Sequence, residues 1–275
     1  MKIRPLRYIS AGVLSFILAG CAIVNTGYRI ADTIAIESHF KKENIKTGLC
    51  EITLFHRFDL PGAPLTVYIE GDGFAWSSRR ELSFDPTPRH PLVLSLAAID
   101  PSENVAYVAR PGQLDRSGEP ACDPAYWSGR RFSLEAVNAM SLAIDRLKEA
   151  SGSNEVNLIG YSGGAAIAVI LAARRSDIKS LRTIAGNLDH EALTRYQGVS
   201  PLTGSLNPID YAEKIKGLPQ RHFMGANDKV VPLFITQSFV EREGDKYHRS
   251  ITVVNGASHT KGWQEHWKGL LAERL

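Results

Sequence analysis

Glu155-Val156-Asn157-Leu158-Ile159-Gly160-Tyr161-Ser162-Gly163-Gly164 passes from a short apolar run into a tight glycine-flanked turn, and Ala165 to Arg175 beyond it is rich in Ala, Ile, Val and Leu. The apolar run reads as a buried strand and the small-residue run as a helix. A serine at a strand-to-helix turn, with glycine two positions to either side, is the nucleophile-elbow pattern. Such a turn leaves no room for side chains at Gly160 and Gly164. It forces Ser162 into a strained, exposed position with a helix N-terminus behind it, which favours developing negative charge. The pattern is short, and an ordinary βα turn whose serine caps the helix reads the same way. Its surroundings have to decide.

Working outward, Leu49 to Phe58 and Leu65 to Ile69 read as strands, separated by the turn signal Asp59-Leu60-Pro61-Gly62. Pro91 to Ile99 reads as a helix with proline in its first turn. Asn104 to Ala109 reads as a strand, Arg110 to Ser128 as a long loop, and Ser133 to Ala150 as a helix of regular apolar period. After the elbow come strands at Leu181 to Ala185, Arg221 to Met224 and Ser250 to Val254. Helices are expected at Tyr211 to Ile215, Pro232 to Arg242 and Gly262 to Arg274. Strands alternating with helices predict an α/β fold: a mainly parallel twisted sheet with helices on both faces. The segment from Gly186 to Pro208 has room for a small cap at most, which predicts an open site.

A serine hydroxyl is a poor nucleophile at neutral pH and needs a base that is itself oriented by a carboxylate. Two loops downstream supply both. Gly225-Ala226-Asn227-Asp228-Lys229-Val230-Val231-Pro232 follows one predicted strand, and Asn255-Gly256-Ala257-Ser258-His259 follows another. The strand order brings Ser162, Asp228 and His259 to the same, C-terminal edge of the sheet, where open α/β folds bind ligands. Asp210 and Asp189 compete for the acid role, but neither directly follows a strand in the right place. Asp228 also suits a plain turn with Asn227.

With the elbow, the G-x-N-D-x-V-V-P loop and the G-x-S-H loop in this order, the chain resembles the α/β-hydrolase fold superfamily from about Leu49 onward. The resemblance implies an α/β-hydrolase fold and a serine hydrolase with an acyl-enzyme, in which Ser162 is nucleophile, His259 general acid/base and Asp228 its orienter. It also implies an oxyanion hole built from the N–H of Gly163 and, from the loop Glu70-Gly71-Asp72-Gly73, that of Asp72. Relatives often carry histidine where this chain has Glu70. Two carboxylates beside an oxyanion site oppose negative charge unless paired, and Arg110 after the next strand is the candidate partner. Phe74, Trp76, Tyr126, Trp127 and Trp263 fall in loops near this edge, as a substrate pocket or as packing. Ester hydrolysis of a small or lipid-like acyl substrate is the expected activity. Thioesterase, peptidase or amidase chemistry uses the same triad, and an inert binding protein is the alternative outside enzymes.

The chain opens with Lys2, Arg4 and Arg7 before an apolar run from Ile9 to Ala19 that is too short to span a bilayer as a mature helix. It closes on Leu18-Ala19-Gly20-Cys21, which resembles a bacterial lipobox. Residues 1–20 are then a lipoprotein signal peptide, Cys21 carries the lipid, 21–46 are a tether with a short helix, and 47–275 are one catalytic domain. A plain secretory signal, or a short anchor, with an incidental cysteine is the alternative. Ala22 after the cysteine is not acidic, which by resemblance favours the outer membrane, facing the periplasm. The formal charge of +3 includes the three leader cations, so the remaining domain is near neutral. With no basic stripe and interleaved aromatics, a nucleic-acid partner is not expected. Cys50 and Cys122 are expected to pair in an oxidising compartment, with two separate thiols as the alternative. No cofactor is expected, and no zinc motif occurs.

Overall fold

A computed structural model describes residues 26–116, 122–245 and 250–275. The leader 1–20 and Cys21 lie outside them. In chain order the elements begin with helix α1 (Thr26–Glu37), strands β1 (Lys41–Lys46), β2 (Glu51–Phe58) and β3 (Leu65–Ile69), helix α2 (Leu92–Ala98) and strand β4 (Asn104–Val108). Helix α3 (Leu134–Ser151), strand β5 (Val156–Tyr161), helix α4 (Gly163–Arg174), strand β6 (Ile178–Ile184) and helices α5 (His190–Gln197) and α6 (Ala212–Ile215) follow. Strand β7 (Gln220–Gly225), helix α7 (Leu233–Glu243), strand β8 (Ile251–Val254) and helix α8 (Trp263–Leu271) complete the order.

The strands form one eight-stranded sheet in the order β1-β2-β4-β3-β5-β6-β7-β8. Strand β2 pairs antiparallel with both β1 and β4, and every other pairing is parallel. Side chains alternate across the sheet, as strand geometry requires. Along β3, Leu65, Val67 and Ile69 enter the core shared with α3, α4 and α7, while Tyr68 faces the opposite core with Trp263 and Trp267 of α8. Helix α4 is buried almost all round, which explains why its sequence shows no polar stripe.

The sheet begins inside the 21–46 stretch that sequence reading assigned to a tether. The short helix expected there is α1, whose Tyr28, Ala31 and Ala35 join the core of the α8 face. The strand was not expected. Lys41-Lys42-Glu43-Asn44-Ile45-Lys46 has no apolar alternation, and it is a strand because the open edge of β2 pairs with it from Lys41↔His56 to Lys46↔Glu51. Its charges suit an edge, where they discourage further strand addition.

Cys50 and Cys122 are joined as a disulfide with Cα atoms 5.1 Å apart. They sit in a small apolar cluster with Ala75 and Trp127, and the Trp127 indole donates to the Ser83 carbonyl oxygen at 2.9 Å. The bridge thereby ties the start of β2 to the segment after β4, beside Ala75 of the excursion that follows β3. Among the described residues no helix is long and apolar enough to cross a membrane.

Candidate active site

Ser162 sits between β5 and α4 at φ 50° and ψ −116°, a strained positive-φ conformation for a residue with a side chain. Backbone bonds hold it there: its N–H donates to Ile184 O at 2.9 Å, and its carbonyl accepts from Asn187 N at 3.0 Å. The flanking glycines are sterically obligatory. A Cβ on Gly160 would stand 2.6 Å from the Ala165 Cα, and one on Gly164 would stand 2.3 Å from the Ile69 carbonyl oxygen. The strain at Ser162 is therefore set by packing on both sides of the turn.

The three residues expected to meet do so. His259 Nε2 lies 3.1 Å from Ser162 Oγ, and His259 Nδ1 lies 2.9 Å from Asp228 Oδ2. With the Nδ1 proton directed at the carboxylate, Nε2 is left to accept from the serine hydroxyl. Asp228 serves both readings made from sequence. Its Oδ1 accepts from the N–H groups of Val230 and Val231 at 2.8 and 3.0 Å and so shapes the turn, while its Oδ2 takes the histidine. Burial works to raise the Asp228 pKa, but the His259 bond and charge, with those two amides, outweigh it and hold the carboxyl below its ordinary range.

The histidine loop is fixed by side chains that sequence reading did not assign to it. Tyr161 Oη and Trp263 Nε1 both donate to the His259 carbonyl oxygen, at 2.9 and 3.1 Å. Trp263 is fully buried, and Trp127 belongs to the disulfide cluster; both are packing residues, not pocket lining. Asp189 caps α5 and accepts from Asn207 Nδ2 at 3.0 Å, which occupies the competing carboxylate.

The loop Glu70-Gly71-Asp72-Gly73 reaches the elbow. The Asp72 carboxylate lies against Gly163, where a Cβ would stand 2.0 Å from Oδ1. Among the described residues neither the Gly163 nor the Asp72 N–H has a backbone acceptor. The two acids that sequence reading set side by side have separate partners. Asp72 is clamped by Arg110 Nη1 at 3.4 Å and Arg131 Nη1 at 2.7 Å. Glu70 turns inward, accepting from its neighbour Gly71 N at 2.9 Å and from Tyr107 Oη at 3.1 Å. Burial pushes the Glu70 carboxyl up to about 7, against the pull of those two donors, the Arg110 charge and the Val93 amide. Gln113 braces the loop by donating from Nε2 to Gly71 O at 2.9 Å.

Arg110 was legible as a candidate partner; Arg131 and Gln113 were not. Burial lowers the Arg110 pKa to about 10 against the opposing charge of Asp72, so the guanidinium stays charged at neutral pH. A cavity of about 360 Å³ lies beside this loop, lined among others by Gly27, Phe74, Phe84 and Arg89. None of Ser162, His259 and Asp228 lines it. No group of three or more His, Cys, Asp or Glu residues suited to a metal ion occurs among the described residues.

No protein-family model and no curated protein matches the sequence. Solved structures do match. Est1E from Butyrivibrio proteoclasticus is 14% identical with a TM-score of 0.57, over 84% of this chain and 97% of that one. The Pyrococcus furiosus esterase Pf2001 is 16% identical with a TM-score of 0.58, over 84% and 90%. Pyrococcus horikoshii acylaminoacyl peptidase is 14% identical with a TM-score of 0.59, over 84% of this chain but 40% of that one. The chain has the α/β-hydrolase fold, with its eight-stranded, mostly parallel sheet flanked by helices.

Proposed function

We propose that the protein is a serine hydrolase that cleaves acyl esters through a covalent acyl-enzyme. The observation that carries this reading is the unbroken chain from Ser162 Oγ to His259 Nε2 at 3.1 Å and from His259 Nδ1 to Asp228 Oδ2 at 2.9 Å. Ser162 Oγ attacks the substrate carbonyl carbon while His259 Nε2 takes its proton. Asp228 keeps the imidazole in the tautomer that leaves Nε2 free, and it stabilises the imidazolium that forms. The carbonyl oxygen becomes an oxyanion, which the N–H groups of Gly163 and Asp72 receive. When the tetrahedral adduct collapses, His259 returns the proton to the departing alkoxide. A water then repeats the sequence to release the acid and regenerate Ser162.

Between β6 and the 3₁₀ turn at Pro208–Tyr211 the only helix is the eight-residue α5, so this segment places no large cap over the site. A fluorophosphonate probe tests the reading. It should label the wild type and not Ser162→Ala, with p-nitrophenyl ester turnover lost in parallel; equal labelling of both sinks it.

The place of action follows from the N-terminal sequence. Lipidation at Cys21, after removal of residues 1–20, would hold the domain at the bacterial envelope without a spanning helix. Radiolabelled palmitate should enter the wild type and not Cys21→Ala. Equal incorporation, or none, excludes the anchor.

A further inference from the structure

We infer that Arg131, acting with Arg110, is a positioning residue that makes Asp72 usable as an oxyanion-hole donor. The inference rests on the serine-hydrolase reading above and adds a requirement to it. Asp72 presents an awkward combination, because its backbone N–H is wanted at the site of developing negative charge while its own carboxylate abuts Gly163. A bare carboxylate there would oppose the oxyanion at close range.

Two guanidiniums meet this carboxylate, one on each oxygen: Arg110 Nη1 on Oδ1 at 3.4 Å and Arg131 Nη1 on Oδ2 at 2.7 Å. They come from different parts of the chain, Arg110 from the end of β4 and Arg131 from the turn before α3. They are also tied to each other, since Arg110 Nη2 donates to the Arg131 carbonyl oxygen. Arg110 is 4% exposed and Arg131 14%, against 24% for Asp72, so the pair sits beneath the carboxylate and is weakly screened. Two positive charges more than neutralise the Asp72 carboxylate, with Glu70 behind Arg110 offsetting part of the excess.

The clamp has a conformational role as well. Asp72 stands between Gly71 and Gly73 and carries the one side chain of that turn. The Asp72 N–H shares its peptide with the Gly71 carbonyl, which Gln113 Nε2 holds at 2.9 Å, and the anchored carboxylate is the second handle on that peptide, on its Asp72 side. Sharing each oxygen with a separate guanidinium fixes the direction of that handle.

A double-mutant cycle tests this. Arg131→Gln should lower kcat by about a hundredfold, the scale of losing one oxyanion donor, with KM within about threefold. Asp72→Asn should lose about tenfold, because the handle weakens while the offending charge also goes. The double variant should be no slower than Asp72→Asn, recovering about tenfold over Arg131→Gln. A purely structural arginine would give losses that multiply, and a double variant at or below the product of the single ones overturns the proposal. So does an Arg131→Gln effect confined to KM. Should Arg131→Gln fail to fold, Arg131→Lys replaces it: retention of more than a tenth of wild-type kcat supports the charge role, and a loss as deep as that of Asp72→Ala refutes it. Fluorophosphonate labelling of the wild type at Ser162 separates the two levels. Absence of label sinks the hydrolase reading itself, whereas label without rescue sinks only the role of the arginines.

Discussion

The Tyr107 hydroxyl donates to Glu70 Oε2 at 3.1 Å, with both side chains buried behind the loop that reaches the elbow. Burial raises the Glu70 carboxyl from an ordinary 4.5 to about 7, and the Gly71 amide and this hydroxyl only partly offset it. Between those pH values an unfolded chain has lost a proton that the folded chain keeps. The contribution of Glu70 to stability is therefore full below about pH 4.5 and lost as pH rises through about 7. We expect Glu70→Gln to flatten the fall in stability over this window, by up to about 1.4 kcal/mol per pH unit, and with it the fall in Tm. Thermal melts of both proteins from pH 4.5 to 8 check it, and identical slopes contradict it.

The Ser162–His259–Asp228 chain predicts graded losses. Ser162→Ala and His259→Ala should each reduce kcat by roughly four orders of magnitude or more, and combining them should add little, because residues of one catalytic unit fail together. Asp228→Asn leaves the shape but favours the wrong tautomer, at a cost of about 10⁴-fold. Steady-state kinetics on a p-nitrophenyl ester measure these. A double variant much slower than either single one would contradict a shared proton path.

Gly163 faces the Asp72 carboxylate, and Gly129 has nothing within 4 Å of a built Cβ. Gly163→Ala should therefore displace the clamped carboxylate, lowering kcat by about 10²–10³-fold and stability by about 1–3 kcal/mol. Gly129→Ala should leave kcat within about twofold. The pair separates a local steric effect from a general glycine effect.

Tyr161 occupies the variable position of the elbow and holds the histidine loop through its hydroxyl. Trp263 Nε1 shares the same acceptor, so Tyr161→Phe should cost only about 1 kcal/mol of stability and a few-fold in kcat. Replacing Trp263 with Phe as well should cost more than the two single changes together. Additive losses would show that the two donors act independently.

The Cys50–Cys122 bridge spans a sequence separation of 72 residues. Cys122→Ser should lower stability by about 2–5 kcal/mol. Denaturant unfolding of the oxidised wild type, the reduced wild type and the variant should place the last two together. A variant as stable as the oxidised protein would remove the bridge from the stabilising contacts.

The elbow, the acid loop and the histidine loop were legible because each is local: a strand end, a turn of fixed residue type and a following helix lie within one short window. The alternation of these units pointed to the sheet and its catalytic edge. What stayed hidden depends on residues distant in sequence. Strand β1 is polar and exists through its partner β2, and Arg131 reaches Asp72 across a separation of 59 residues. No periodicity around Gly129-Arg130-Arg131 marks that contact. The aromatics near the active edge read equally as pocket or packing, and only the fold decides: Trp263 is sealed in the core with its N–H on the His259 carbonyl oxygen.

His259 follows Ser162 by 97 residues, and the side chain that steadies its loop from below, Trp263, belongs to the still later helix α8. A growing chain therefore presents its serine long before the histidine that meets it has been synthesised. Until β8 has docked on β7 and α8 has closed over the sheet, the hydroxyl is an ordinary alcohol. On the proposed serine-hydrolase reading, activity would emerge only with completion of the fold, and a nascent chain would be chemically silent.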